Sequence, residues 1–150
     1  MVHAKSSMLN VNMNLLHYGG NKFFFLVLTI KGCIMKKELE KRLVIYANEI
    51  INISEQVKKN YAGVQLTQQI IRSGISTALN YGEAQSAESK RDFIHKVSLV
   101  QKELRETFIN LQIIAMNNIC KDRNGLQRLI KESDELLAIF YRTLETAKKR

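Results

Sequence analysis

The sequence predicts an all-α protein, an antiparallel up-down bundle of four helices. Three observations support this fold class. The 150-residue chain contains no proline and only seven glycines, so long stretches lack any residue that interrupts a helix. Apolar residues recur at alternating steps of three and four, which is the period of one helix face. Short polar connections separate these segments, and short connections favour antiparallel neighbours.

The first predicted helix extends from about Lys36 to Lys59. Its apolar residues form one seam at steps of four and three, as expected for a helix that buries a single side. We expect Gly63 to end this helix, because glycine adopts the backbone conformation common just after a helix C-terminus. The seam consists of Leu39, Leu43, Tyr46, Ile50, Ile53 and Val57.

The second predicted helix extends from about Val64 to Ala84 and carries apolar residues on two sides. A helix of this kind is buried on two sides. We therefore expect it to contact more than the core of its own bundle. The inward face consists of Leu66, Ile70, Thr77 and Tyr81, and the opposite face of Val64, Ile75 and Leu79.

A polar stripe on this second helix is the most informative local pattern in the chain. Buried polar groups fix helix register and oligomeric state when they are paired, and Arg72 or a cation from another helix is the expected partner of Glu83. A ligand-binding groove is the alternative interpretation. Small residues beside the stripe, Gly74, Ala78 and Gly82, predict a close approach of another backbone. The stripe consists of Gln69, Ser73, Ser76, Asn80 and Glu83.

The third predicted helix begins after Ser89 and continues to about Asn117. The Ser89 hydroxyl can accept a hydrogen bond from the Asp92 N–H, and the Asp92 carboxylate favours the positive end of the helix. The fourth helix extends from about Asn124 to Lys148. The inward residues are Phe93, Val97, Val100, Leu104, Leu111 and Ala115 on the third helix, and Leu129, Ser133, Leu136, Phe140 and Ala147 on the fourth.

Apolar residues outside these inward faces predict a homo-oligomer. One bundle cannot bury all of them, and apolar patches of this kind usually mark an association surface. They are Ile109, Ile113 and Met116 on the third helix, and Ile130, Leu137, Tyr141 and Leu144 on the fourth.

The first 34 residues differ from the rest in composition. They contain no Asp or Glu, and their apolar run over residues 23–30 is too short to span a bilayer. Residues 35–40 resemble a natural start, so we expect residues 1–34 to be a translated leader or a disordered extension. Residues 35–150 then form the bundle. A signal peptide is the less favoured alternative, because no small-residue cleavage pattern follows the apolar run.

The formal charge of +9 at pH 7 indicates attraction to a polyanion, although charge alone governs only solubility and non-specific binding. Without residues 1–34, which carry Lys5, Lys22, Lys31 and no acid, it would be +6. Basic residues on the third helix and around the last connection predict sequence-independent RNA or DNA binding. Interspersed acids favour the alternative that this charge only solvates exposed faces. The candidates are Arg91, Lys102, Arg105, Lys121, Arg123 and Arg128.

The residues do not indicate an enzyme, a cofactor or a metal site. From residue 35 onwards the chain has one histidine, His95, and one cysteine, Cys120. Asp92 and His95 are three residues apart, but metal sites in such bundles need two Glu-x-x-His pairs and further carboxylates. No phosphate-binding Gly-rich loop or Ser/His/Asp arrangement is present. Cys33 and Cys120 have no CxxC spacing and form no ligand cluster, which favours a reduced, cytoplasmic protein. The shortness of the apolar run over residues 23–30 predicts that the protein has no membrane segment.

Several segments closely resemble the four-helix bundle proteins of the 23S rRNA-intervening-sequence family. The resemblance covers roughly residues 35–148 and rests on many fixed spacings, which makes it more specific than a single short motif. The segments are RSGIS at 72–76, NYGEAQ at 80–85, AESKRDFIHK at 87–96 and KELRET at 102–107.

The resemblance implies a bundle that assembles as a ring, commonly a pentamer, with no known enzymatic activity. Some members are encoded within insertions in bacterial ribosomal RNA genes. A similar group, the accessory variability proteins of diversity-generating retroelements, engages a reverse transcriptase and nucleic acid. We therefore expect a non-enzymatic oligomer whose basic surface holds RNA or a nucleic-acid enzyme. The alternative is a protein-interaction or assembly module with no nucleic-acid role.

Overall fold

The computed structural model describes residues 22–149, which form four α-helices and no strand. These are α1 (Lys22–Glu55), α2 (Tyr61–Gln85), α3 (Lys90–Met116) and α4 (Arg123–Lys149). The contacts define one compact unit from residue 36 onwards, and the packing discussed below belongs to that unit. The predicted all-α, four-helix fold is confirmed.

The two ends of α1 differ from the prediction. The helix begins at Lys22 rather than near Lys36, and it ends at Glu55 rather than near Lys59. It thus includes residues for which the sequence showed no helical period. Residues 1–21 lie outside the described part of the chain, and the interpretation of residues 1–34 as a leader or extension stays a prediction.

Gly63 does not end α1, so that prediction is wrong. It lies in the first turn of α2, where its N–H donates to the Asn60 Oδ1 at 2.8 Å. Asn60 is the N-cap of α2, because an asparagine side chain satisfies an amide that has no partner within the helix. A Cβ on Gly63 would lie 1.9 Å from the carbonyl oxygen of Lys58. The small residue is required because the preceding connection passes against this turn.

The ends of α3 follow from local chemistry. Ser89 is the N-cap and accepts a hydrogen bond from the Asp92 N–H at 3.1 Å, as predicted. At the other end Asn118 has a φ of 52°, a left-handed conformation that asparagine tolerates better than most residues. In the next connection, the Asp122 carboxylate accepts the N–H of Gly125 at 2.8 Å and so caps the first turn of α4.

Between α1 and α4, and between α2 and α3, residue numbers rise along one helix while those of their partners fall along the other. Along α1 and α4, Arg42 pairs with Glu135, whereas Ile53 lies against Gly125. The α1–α2 and α3–α4 connections meet at one end of the bundle, joined by a bridge between Val57 and Cys120. Both features agree with an antiparallel arrangement. Along α2 and α3, Ser73 pairs with Thr107 and Glu83 with Lys96.

The core consists mainly of the predicted seams. Leu39, Leu66, Phe93 and Ala115 are only partly buried and pack at its edge. Ala147 is also partly buried. The largest fully buried side chains are Tyr46, Phe140, Leu43, Ile50, Ile70, Leu104, Leu111, Ile114 and Leu136.

Hydroxyl groups from all four helices meet in this core. The Tyr46 Oη lies 2.7 Å from the Ser133 Oγ, joining α1 to α4. The Ser73 Oγ lies 2.7 Å from the Thr107 Oγ1, joining α2 to α3. Burial raises the pKa of Tyr46, while hydrogen bonding to Ser133 and Thr107 opposes that rise. We call these four residues the hydroxyl cluster.

The polar stripe on α2 is enclosed at only one point. Ser73 belongs to the hydroxyl cluster, while Asn80 is partly buried and donates to the Ser76 carbonyl oxygen at 2.8 Å. Gln69 and Glu83 are exposed. The expectation of a buried carboxylate is therefore not met in the single chain, because the stripe follows the edge between α2 and α3. Glu83 pairs with Lys96 of α3, a cation from another helix and thus one of the two predicted partners, and not with Arg72. A role for the stripe in oligomerisation stays a prediction.

The small residues of α2 differ in what surrounds them. A Cβ on Gly74 would lie 2.3 Å from the Cδ1 of Ile50, and Ile50 is fully buried. A Cβ on Gly82 would meet no heavy atom within 4 Å. At Gly74 the close neighbour is therefore the Ile50 side chain of α1 rather than another backbone, and Gly82 has no close neighbour within the described chain.

Substituting these two glycines tests the close approach. Alanine removes about 1 kcal/mol of unfavourable helix propensity at either position, but overpacking at Gly74 costs about 1–3 kcal/mol. We expect Gly82→Ala to be more stable than the wild type in urea denaturation. We expect Gly74→Ala to be less stable than Gly82→Ala by about 1–3 kcal/mol. Equal stabilisation by both would show that Ile50 yields freely.

A double-mutant cycle tests the hydroxyl cluster. Ser133→Ala leaves the buried Tyr46 hydroxyl without this partner, which costs about 1–3 kcal/mol. Tyr46→Phe removes the same hydrogen bond, but Ser133 still donates to the carbonyl oxygen of Leu129, so we expect a smaller loss. We expect the double variant to cost less than the two single changes together, by about 0.5–3 kcal/mol. Tyr81→Phe is the control, since the hydroxyl of this core tyrosine has no hydrogen bond to any described residue. Strict additivity in urea denaturation would contradict a coupled pair.

Candidate nucleic-acid interface

A groove of about 500 Å³ follows the outer side of α3 and α4. The helical period creates it, because residues at steps of three and four project from one side of each helix. We call it the α3–α4 groove. Its lining residues are Ser98, Gln101, Lys102 and Arg105 from α3, and Tyr141, Leu144, Glu145 and Lys148 from α4.

Positive charge predominates in this groove. Lys102, Arg105 and Lys148 are exposed, and none of them forms a salt bridge with a residue in the described range 22–149. The single acid, Glu145, lies 3.8 Å from Lys149, which is outside the groove lining. Three cations that form no salt bridge with a described residue, against one acid in the lining, give this groove a net positive charge.

An exposed aromatic ring lies in the same groove. Tyr141 is 59% exposed, whereas its neighbour Phe140 is fully buried and packs edge-to-face on Tyr81 at a centroid distance of 5.5 Å. Consecutive residues project about 100° apart around a helix, so Phe140 and Tyr141 project in different directions. The core therefore holds the α4 backbone while the Tyr141 ring remains accessible.

The six basic residues predicted from sequence do not form one surface. Lys102 and Arg105 line the α3–α4 groove. Arg91 is exposed at the start of α3, outside the groove lining. Lys121 lies in the α3–α4 connection, where its N–H donates to the carbonyl oxygen of Gln56 at 2.9 Å. The remaining two are on α4, where Arg123 begins the helix and Arg128 lines a different groove between α1 and α4.

That α1–α4 groove has balanced charge. Arg42 donates from Nε and Nη2 to both carboxylate oxygens of Glu132, at 2.6 and 2.8 Å, and from Nη2 to Glu135 at 2.8 Å. Hydrogen bonding to Glu132 raises the pKa of Arg42. Glu49 and Glu132 line the groove beside the two arginines, Arg42 and Arg128. The α1–α4 groove is therefore a poor phosphate site. No periodic signal in the sequence identified the cluster of Arg42, Glu132 and Glu135.

Sequence reasoning also missed the contribution of α4 to the α3–α4 groove. The sequence assigned Tyr141 and Leu144 to an apolar surface for association, and Lys148 was not among the six candidate cations. Leu144 and Leu137 are instead buried in the core of the described chain. The spacing of three and four between Tyr141, Leu144 and Lys148 was the available signal. This spacing does not show which face of which helix lies next to these residues. Only the packed bundle shows that.

Two further observations concern other classes of site. Within the described part of the chain, no three His, Cys, Asp or Glu side chains cluster as a metal site would require. His95 is exposed. Over the same residues, no helix has an apolar stretch long enough to cross a bilayer.

Comparison with known proteins identifies the family. The model of the 23S rRNA-intervening sequence protein family matches residues 37–142, which is more than half of the chain. The protein therefore belongs to this family, and the resemblance noted in the sequence is confirmed.

A solved structure is also similar. It is the crystal structure of a protein with unknown function from the S23 ribosomal protein family of Bacteroides thetaiotaomicron. The TM-score is 0.63 at 25% identity, over 70% of this chain and 96% of that chain. No curated protein matches this chain.

We expect Lys102 and Arg105 of the α3–α4 groove to contribute little to folding. Because Lys102 and Arg105 are exposed and form no salt bridge with a described residue, we expect Lys102→Ala/Arg105→Ala to change stability by less than about 0.5 kcal/mol. Arg42→Ala removes a bidentate pair that is partly screened by solvent, and we expect a loss of about 1 kcal/mol. Urea denaturation measures both. A larger loss in the groove variant than in Arg42→Ala would assign Lys102 and Arg105 a structural role.

Proposed function

We propose that this protein binds RNA without reading its base sequence, through the α3–α4 groove. The observation that carries the proposal is the position of Lys102, Arg105 and Lys148. These three cations line one groove from two helices, and no described acid pairs with them. The family description, which refers to an intervening sequence of 23S rRNA, is consistent with RNA as the polyanion.

The physical basis is phosphate binding. Lysine and arginine that neutralise phosphates release condensed counterions, so affinity is electrostatic and independent of base sequence. Lys102 and Arg105 are three residues apart on one helix, which places their side chains side by side. Lys148 approaches from α4. A backbone lying in the groove would meet cations on both walls.

The proposed role is non-enzymatic, with the protein holding RNA or assisting an enzyme that acts on it. An oligomer would strengthen this role, because repeated grooves would combine their charge. Exposed apolar side chains support association: Val44 and Ile51 on α1, Val64 and Leu79 on α2. A ring, commonly a pentamer, is the form that the family resemblance suggests.

A protein-interaction module is the second candidate. The observation that favours it is the apolar continuation of the basic face of α3, formed by Ile109, Ile113 and Met116, all of which are exposed. A surface of this kind fits a protein partner better than a phosphate backbone. In this alternative the basic residues serve solubility alone.

Salt-dependent RNA binding separates the two candidates. By fluorescence anisotropy with a labelled RNA, we expect the affinity of the wild type to fall steeply with salt. Removing three phosphate contacts in Lys102→Ala/Arg105→Ala/Lys148→Ala should lower the salt slope by about 2. The charge-matched control is Lys36→Ala/Lys37→Ala/Lys41→Ala, whose residues are exposed on α1. We expect this control to bind like the wild type.

Two outcomes would contradict the RNA proposal. One is no binding by the wild type at low salt. The other is equal weakening by the two triple variants, which would mean that only net charge matters. Absence of RNA binding, combined with a concentration-dependent oligomer in sedimentation, would support the interaction module.

A further inference from the structure

We infer that the α3–α4 groove binds single-stranded rather than duplex RNA, with an unpaired base stacked on Tyr141. This inference rests on the proposed function and specifies the form of RNA that the groove takes. It depends on the position of one aromatic ring among three cations.

Tyr141 is placed for stacking rather than for packing. Its side chain is 59% exposed, and its ring pairs with no aromatic ring of the described residues. The flanking core residues Phe140 and Leu144 are buried and hold this turn of α4 in place. The ring is thus presented from a rigid helix, so that little conformational entropy is lost when a base stacks on it.

The surroundings of Tyr141 have the chemistry of a nucleotide. Leu144, of which only 5% is exposed, lines the groove beside the ring, and Lys102, Arg105 and Lys148 line the same groove. A base fits the aromatic and apolar part, and phosphates fit the cations. Single-strand binding proteins combine these two elements, an aromatic platform and a basic groove.

The combination discriminates against a duplex. In double-stranded RNA the bases are paired and stacked inside the helix, and a protein meets mainly phosphates and 2′-hydroxyls. A duplex would therefore engage the cations but leave Tyr141 without a partner. An unpaired base can leave the strand and stack on the ring, and this adds a contact that the duplex lacks.

A second exposed tyrosine provides a matched control. Tyr61 is 85% exposed at the start of α2, and it follows Lys58 and Lys59 in the sequence. It is thus an exposed ring near positive charge, but it does not line the α3–α4 groove. Substituting Tyr61 tests whether any exposed tyrosine near lysine produces the same effect.

The experiment measures binding of a 12-nucleotide single-stranded RNA and of the corresponding duplex by fluorescence anisotropy. Stacking of one base contributes about 1–3 kcal/mol, so Tyr141→Ala should weaken single-strand binding by about 5- to 150-fold. Duplex binding should remain within about twofold of the wild type, because phosphate contacts remain. Tyr141→Phe should restore single-strand binding, and Tyr61→Ala should leave it unchanged.

Intrinsic fluorescence supplies a second readout. The chain contains no tryptophan, so its emission comes from tyrosine. We expect single-stranded RNA to quench a component of this emission that is absent from Tyr141→Ala and present in Tyr61→Ala. An identical fractional quench in the wild type and Tyr141→Ala would overturn stacking on Tyr141.

Failure of this inference is distinguishable from failure of the proposed function. The inference fails if Tyr141→Ala binds single strands like the wild type, or loses single-strand and duplex binding equally. The proposed function fails if the wild type binds neither RNA, or if Lys102→Ala/Arg105→Ala/Lys148→Ala binds as well as its charge-matched control. In the first case RNA binding remains, through phosphate contacts alone.

Discussion

The register of this bundle depends on the hydroxyl cluster, in which Tyr46, Ser73, Thr107 and Ser133 contribute one buried hydroxyl from each helix. Apolar side chains of similar size tolerate exchange of neighbours, whereas a buried hydroxyl that loses its partner costs about 1–3 kcal/mol. Sliding α1 by one turn would leave the Tyr46 hydroxyl without Ser133. The hydroxyls of Ser73, Thr107 and Ser133 would keep their hydrogen bonds to carbonyl oxygens of their own helices. The cluster therefore favours one alignment through Tyr46, whose hydroxyl is bonded only when α1 and α4 are in this register.

The surface chemistry follows from that alignment. The same register places Arg42 opposite Glu132, so an acid of the α1–α4 groove neutralises the arginine charge there. In the α3–α4 groove it places Lys102 and Arg105 opposite Tyr141 and Lys148, and these cations have no described acidic partner. Two grooves of one bundle thus differ in charge because of which helix faces meet. Only the second suits a polyanion.

Local features of the fold were predictable where neighbouring residues decide them. The seam on α1 and the Ser89 cap depend on spacing and on side chains three or four residues away, and both were predicted. Gly63 was misassigned because a glycine after a helix is usually a C-terminal residue, and only the path of the preceding connection shows why a small residue is needed here. The prediction placed Glu83 inside the bundle, because the spacing of a polar stripe does not show which of its residues a neighbouring helix covers.

By itself, the sequence determined four helices, their inward faces and an excess of positive charge, because periodicity and composition are properties of one segment at a time. The tertiary structure decided which cations share a groove, and it joined Lys102 and Arg105 to Lys148 and Tyr141 across α3 and α4. It also separated Arg128 from them. The physical reason is that a binding surface between two helices depends on their register. That register is set by buried contacts, and these contacts join residues that are far apart in sequence.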